Sequence, residues 1–281
     1  MDKDEPVKTS DAIPLAPVPA PEGFIEPHAA LLRQPVHGQR LYKVMRAEHL
    51  IGSIAHSYLH FNRVDSYCDF DGADLLDGAQ LPADRAANSA IGFEKAPAFT
   101  AAHYYDQCRA RTYACCFALE NDEHLWQNYG SGGDRGRVAV VFDFTWLHQH
   151  LNAQLAPGTG RLMLGDVPLR RIFSINYGIV EYVDTDRHRL NIEQLPNPIL
   201  YTYLKAERFH AEHELRVSLS AIGMGKLSLD GEIIELPPSL HMEFNFRAAI
   251  AEGGIVSIDT RPDCDRTWVE AELDKLGIGR A

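Results

Sequence analysis

Nowhere in this 281-residue chain does an apolar run reach the roughly 18–20 residues needed to span a bilayer. The opening residues, MDKDEPVKTS, lack the basic start and apolar core of a secretion signal. Cations are outnumbered: 27 Lys and Arg stand against 39 Asp and Glu, a formal net charge of -12. Broad binding to nucleic acid or to an anionic membrane needs clustered cations, so that balance argues against both. A local basic groove stays open, since Arg33, Arg40, Lys43, Arg46 and Arg63 fall close together. Cysteine is scarce and odd in number, five in all, with no CxxC and no paired metal spacing. The expectation is a cytoplasmic chain with free thiols, in which Cys115 and Cys116 sit mid-strand as buried, inert groups.

Several chemical signatures are missing as well. There is no GxSxG elbow and no HExxH helix. The glycine-rich run Gly130–Gly136 (GSGGDRG) lacks the Lys-Ser/Thr of a phosphate loop and precedes a strand. Asp69, Asp71, Asp74 and Asp77 lie among glycines without the Gly and Glu positions of a calcium loop. Of the thirteen histidines, His56 and His60 straddle an expected helix end, and His210 and His213 an expected helix–strand junction. No metal is expected.

What is present is an ordinary globular composition, 45% apolar and 23% charged, in a length ample for a core. Residues 1–38 are rich in Pro and Ala and read as an extended or disordered arm. A single domain is expected over residues 39–281. Its strands are expected at 41–46, 58–64, 112–119, 137–144, within 172–183, at 214–220 and near 255–258. A hairpin is expected around 226–234, with Asp230-Gly231 at the turn. Residues 65–81 read as a polar loop. Helices are expected over 47–57, 85–109 (broken at Pro97), 145–155, 196–209 and 266–276, and one carrying Trp126 and Tyr129 begins at Asn121 or Asp122. Strands and helices mix without a βαβ beat, which predicts an α+β fold with a mixed, largely antiparallel sheet.

The segment Ala211-Glu212-His213-Glu214-Leu215-Arg216-Val217 carries the most chemistry. On a strand, alternate residues share a face, which puts Glu212, Glu214 and Arg216 on one side and Leu215 and Val217 on the other. Paired carboxylates can stabilise a cationic sugar and grip its hydroxyls. They also make an ordinary polar strand face, with Arg216 as a structural ion-pair partner. Trp126 and Tyr129, three apart, share a helix face suited to stacking on a base or to core packing. Lys43, Arg46 and Arg63 can clamp phosphates or be solvated surface charges. Strand alternation points Lys43 away from Tyr42 and Val44.

Six segments stand in order: LYKVMRAEHLIGSIAHSYLHFNRVDSYCDFDG, YACCFALENDEHLWQNYG, GRVAVVFDF, GIVEYVD, LKAERFHAEHELRV and IVSIDTRPDCDRTWVEAELDKLGI. Over about residues 40–278 this order resembles the bacterial "domain of unknown function 2971" family. The opening Leu-Tyr strand and the Glu-x-Glu segment look, more distantly, like the ADP-ribosyltransferase fold. That resemblance implies a split sheet with flanking helices that binds NAD, with a protein or nucleic-acid acceptor. It assigns Glu214 as the catalytic carboxylate and Glu212 as its partner. Lys43, after Tyr42, takes the first-strand position, where His or Arg is more usual. Arg63, Trp126 and Tyr129 complete the expected nucleotide contacts. Ala114 and Ala118 stand where a hydroxyl would hold the nicotinamide ribose. The function implied is an NAD- or nucleotide-binding transferase of toxin or phage-defence type. The alternative is a non-catalytic nucleotide- or protein-binding module of such a system.

Overall fold

The computed structural model describes residues 25–69, 74–155, 162–164, 167–169, 173–190, 197–221, 227–229 and 232–278. In chain order, β1 (Arg40–Arg46) leads through α1 (Ala47–Ala55) into β2 (Tyr58–Arg63) and a 3-10 turn at Val64–Asp69. There follow α2 (Pro82–Ser89), a hairpin of β3 (Gly92–Phe93) and β4 (Ala96–Thr100), α3 (Ala101–Arg109) and β5 (Thr112–Ala118). Next come α4 (Glu123–Asn128), β6 (Arg137–Asp143), α5 (Phe144–Leu155), β7 (Leu162–Leu164), β8 (Val167–Leu169), β9 (Phe173–Ile179) and β10 (Glu181–Val183). After α6 (Ile199–Thr202) and β11 (Leu204–Ala206), a 3-10 turn at Glu207–Glu212 runs into β12 (Glu214–Ala221). The chain closes with β13 (Leu227–Leu229), β14 (Glu232–Ile234), β15 (Ser239–Glu243), α7 (Phe246–Ala251), β16 (Ile255–Thr260) and α8 (Arg266–Lys275).

Ten strands form one sheet in the order β16-β6-β1-β5-β2-β15-β7-β8, with β12 and β9 continuing from the other edge of β5. Every pairing within it is antiparallel, whereas the small β10–β11 pair is parallel. The sheet forks at β5. Tyr42↔Ala118 attaches β1 near one end of its edge, while Asn62↔Ala114 and Arg63↔Tyr113 attach β2 at the other end. Backbone acceptors at the fork find side-chain donors, as buried carbonyls must. Lys43 Nζ donates to the Cys116 carbonyl at 3.0 Å, and the Tyr67 hydroxyl donates to that of Ala114 at 3.0 Å.

Strand alternation sorts the two faces. Leu41, Phe61, Phe117, Phe142, Leu215 and Val217 enter the main core, against Leu50 and Ile54 of α1, Leu147 of α5 and Val269 of α8. On the opposite face Val44, Ala118 and Ala139 pack beneath Leu125 and Trp126 of α4, with Tyr42 and Tyr129 at the margin. Beside them on that face lies a run of buried polar residues, Glu214, Arg216 and Ser218.

Four expectations need correction. Tyr129 lies just past the end of α4 in extended conformation (φ -118°, ψ 151°), so it does not share a helix face with Trp126. Residues 85–109 are two helices separated by a hairpin, because Gly92 lets the backbone come close to Pro97. A Cβ at residue 92 would stand 2.8 Å from the Pro97 carbonyl oxygen. Residues 197–209 hold one helical turn and then β11. Pairing with β10 extends Leu204–Ala206 and overrides local helical preference. Glu212 is not on the strand: it ends a 3-10 turn, and His213, with φ of 43°, turns the chain before β12 begins at Glu214. The arm expected over 1–38 is described only from Ile25. From there it lies along the edge of β9, with Ile175 N–H donating to the Ile25 carbonyl and Ile179 N–H to that of Arg33. The turn at Asp230-Gly231 lies outside the described residues, although β13 and β14 flank it in antiparallel register.

Candidate functional site

Arg216 is the largest side chain sealed inside the molecule, with no exposed surface. A guanidinium carries five N–H donors, and five hydrogen bonds meet it. Nη1 and Nη2 reach Asp77 Oδ1 and Oδ2 at 2.5 and 2.7 Å. Nε and Nη2 reach Glu214 Oε1 and Oε2 at 2.6 and 3.1 Å, and Nη1 also meets the Thr202 carbonyl at 2.8 Å. Lys205 lies beside this fork-to-fork arrangement. Its ammonium is 2.5 Å from Glu212 Oε2, 3.3 Å from Glu214 Oε2 and 4.0 Å from Asp77 Oδ2, over the Phe209 ring at 5.0 Å.

Three carboxylates thus face two cations, and the surplus negative charge decides the electrostatics. Burial alone would raise the Glu214 carboxyl, but Arg216 and Lys205 hold it far below the usual carboxylate range. Burial raises Glu212, and the Glu214 charge adds to that, against the opposing pull of Lys205 and a hydrogen bond from Tyr129. The two carboxylates therefore differ in kind. Glu214 has both oxygens engaged by Arg216 and Lys205 and is a fixed anion. Glu212, at the margin of the cluster, is the one that takes up a proton more readily. Burial pushes the Tyr129 phenol up, helped by Glu212 and Glu214. The Cys116 thiol is likewise pushed up by burial and by Glu214, so it is no nucleophile.

Neighbouring elements hold these groups in place. Asp74 ties the loop to β11, its Oδ1 accepting from Leu76 N–H at 3.0 Å and its Oδ2 from Ala206 N–H at 3.3 Å. The Tyr182 hydroxyl accepts from Glu214 N–H at 2.8 Å. Asp122 caps α4 by accepting from Leu125 N–H at 2.8 Å, which sets Trp126 and Tyr129 against the sheet. Trp126 is committed locally: its indole N–H meets Asn121 Oδ1 at 2.6 Å and Arg261 covers its ring at 4.9 Å.

The structure brings together some of the residues singled out by sequence and separates others. Register aligns Tyr42, Ala118 and Glu214 across three strands on one face, with Tyr129 and Glu212 alongside. Lys43 leaves this group. It lies over Phe117 at 5.2 Å, on the core side, and reaches only the seam of the fork. Arg63 is at the other end of β5, held by Asp65 at 2.6 Å and the Leu236 carbonyl at 2.5 Å. Arg46 donates to the Ser131 carbonyl at 2.7 Å. Sequence reasoning missed Asp77, Lys205 and Tyr182. One signal pointed to Asp77: an arginine on a strand whose neighbours are all buried needs a buried acid, and residues 65–81 are rich in aspartate.

No family model, curated protein or solved structure matches the chain.

Proposed function

We propose that this chain is an NAD- or nucleotide-binding, ADP-ribosyltransferase-like enzyme working on the sheet face beside the fork. The observation that supports the reading is the acidic pair formed by Glu212, at the end of the 3-10 turn, and Glu214, at the start of β12 next to the fork, with Tyr129 hydrogen-bonded to Glu212 and Tyr42 on the same sheet face. Glu214 is the anchor in this reading, and Glu212 is the carboxylate that meets the ligand, which exchanges the roles the resemblance implies. As the nicotinamide–ribose bond breaks, its electron pair leaves with the nicotinamide and the sugar becomes cation-like. A fixed anion nearby stabilises that charge, and Glu212 takes the proton from the acceptor as it bonds to the sugar. Lys43, bonded to the Cys116 carbonyl over Phe117 on the core side of the sheet, is not a phosphate contact in this reading.

Release of nicotinamide from NAD, followed by chromatography, tests this. Wild type should release it, and Glu212→Gln should lower the rate about 100-fold or more while keeping the fold. No release above the uncatalysed rate by wild type, with every nucleic-acid and protein acceptor offered, would sink the enzymatic reading. One observation favours a second reading, a non-catalytic module: Glu214 is saturated by Arg216 and Lys205, as a purely structural anion would be. That module would bind nucleotide or protein with equal affinity in wild type and Glu212→Gln.

A further inference from the structure

Four of the thirteen histidines gather where α1 enters β2 and β15 pairs with it. His241, His49 and Lys43 all act electrostatically on His60, and His56 acts on His241. His60 and His241 stand directly opposite each other on antiparallel strands. Their facing nitrogens, His60 Nδ1 and His241 Nε2, are 3.1 Å apart, with the rings tilted by 57°. His60 Nε2 is 2.8 Å from Asn62 Oδ1. A carbonyl oxygen only accepts, so Nε2 carries the ring proton and Nδ1 presents its lone pair toward His241.

Two metal–imidazole bonds of about 2.0–2.1 Å, meeting at about 90–110°, set their nitrogens about 2.8–3.4 Å apart. The pair falls inside that range. We propose that His60 and His241 form a two-point chelate for a first-row divalent ion of the imidazole-seeking class, Cu2+, Ni2+ or Zn2+. His60 supplies Nδ1. His241, exposed and stacked on Tyr58 at 3.8 Å, moves its proton to Nδ1 so that Nε2 becomes the second ligand. Water completes the shell. Asn62 is the outer partner that fixes the His60 tautomer, a role metal-binding histidines commonly require. His56 hydrogen-bonds through Nδ1 to the Gly52 carbonyl at 2.9 Å, which leaves its Nε2 turned outward. Lys43 is turned aside to the Cys116 carbonyl. Histidine spacing along the chain could not reveal the pair, because 181 positions separate its members and only strand pairing joins them.

The proposal is independent of the nucleotide reading, and its test uses metal alone. Full-length protein is titrated with Cu2+ and followed by electron paramagnetic resonance, and Zn2+ is added in a thermal-shift assay. One equivalent of Cu2+ should bind with a two-nitrogen signature, and Zn2+ should raise the melting temperature. Both effects should vanish in His241→Gln, whose substituted side chain is on the surface, and in His60→Gln. Both should persist in His213→Gln, which removes the histidine from a separate exposed group with Glu120 and Asp122. An unchanged Cu2+ spectrum in His241→Gln overturns the assignment. So does loss of binding in His213→Gln, or absence of a Zn2+ shift in the wild type.

Discussion

Arg216 illustrates how a single buried charge dictates its surroundings. Removing a guanidinium that meets two carboxylates leaves Asp77 and Glu214 with only Lys205 beside them in a dry interior, at a cost of about 3–5 kcal/mol. Arg216→Met should lose that much in urea denaturation, and a loss under about 1 kcal/mol would mean that water reaches the cluster. Glu212 should behave differently. Its folded proton affinity is raised, so the folded state binds the proton more tightly than the unfolded chain does. Its contribution therefore favours folding at low pH and is lost as pH rises from the ordinary carboxylate value through the raised folded one. Glu214 has the opposite sign: its folded value is depressed, so its contribution is present above the unfolded value and is lost as pH falls through the folded one. Urea midpoints from pH 4 to pH 8 separate the two. Wild type should lose ground to Glu212→Gln as pH rises, and a pH-independent difference would contradict the assignment. At this scale the sequence was partly legible. Alternation correctly put Leu215 and Val217 opposite Arg216. Period alone says nothing of which loop folds over a face, so Lys205 could not be read as its partner, and Asp77 only as one of several aspartates in the loop 65–81.

Among the elements, α4 and β9 bear most directly on the site. Asp122 satisfies an otherwise orphaned N–H of a helix only six residues long. Asp122→Ala should cost about 1 kcal/mol and loosen Trp126 and Tyr129 together, readable as a change in tryptophan fluorescence. On β9, a Cβ at Gly178 would lie 2.7 Å from the Tyr203 ring, whose hydroxyl is paired with Ser218 at 2.9 Å. Gly178→Ala should therefore destabilise by about 1–3 kcal/mol in a thermal melt, through overpacking of a ring that cannot retreat. β12 was readable from the chain by its alternation, and β5 and β6 by short continuous apolar runs that are buried on both faces. The one-turn helix α6 and the strand β11 were not: they are short, and long-range pairing settles their conformation. The same applies to the residues from Ile25 onward. Their Pro/Ala-rich context reads as an arm, yet the unpaired edge of β9 takes up their backbone, and Glu26 is held 2.7 Å from His148 of α5.

For the molecule as a whole, the fork at β5 is the organising feature. It lets two groups of strands share one central strand, and it leaves a seam that Lys43 and Tyr67 must close with side chains. Helices on one face build the core, while loops, α4 and β11 cover the other and place the charge cluster there. An α+β fold with a largely antiparallel sheet was legible in the order of its elements. The fork was not, since it depends on which end of β5 each neighbour meets. The account's central claim is that a nucleotide binds on the face that carries Glu212, Tyr42 and Tyr129. Isothermal titration of the purified chain with NAD tests it most directly. Saturable binding is expected in wild type and Glu212→Gln, and about tenfold or weaker affinity in Tyr42→Ala, where a ring flanking the acidic pair is gone. No measurable heat in wild type with either NAD or ADP-ribose would contradict the claim.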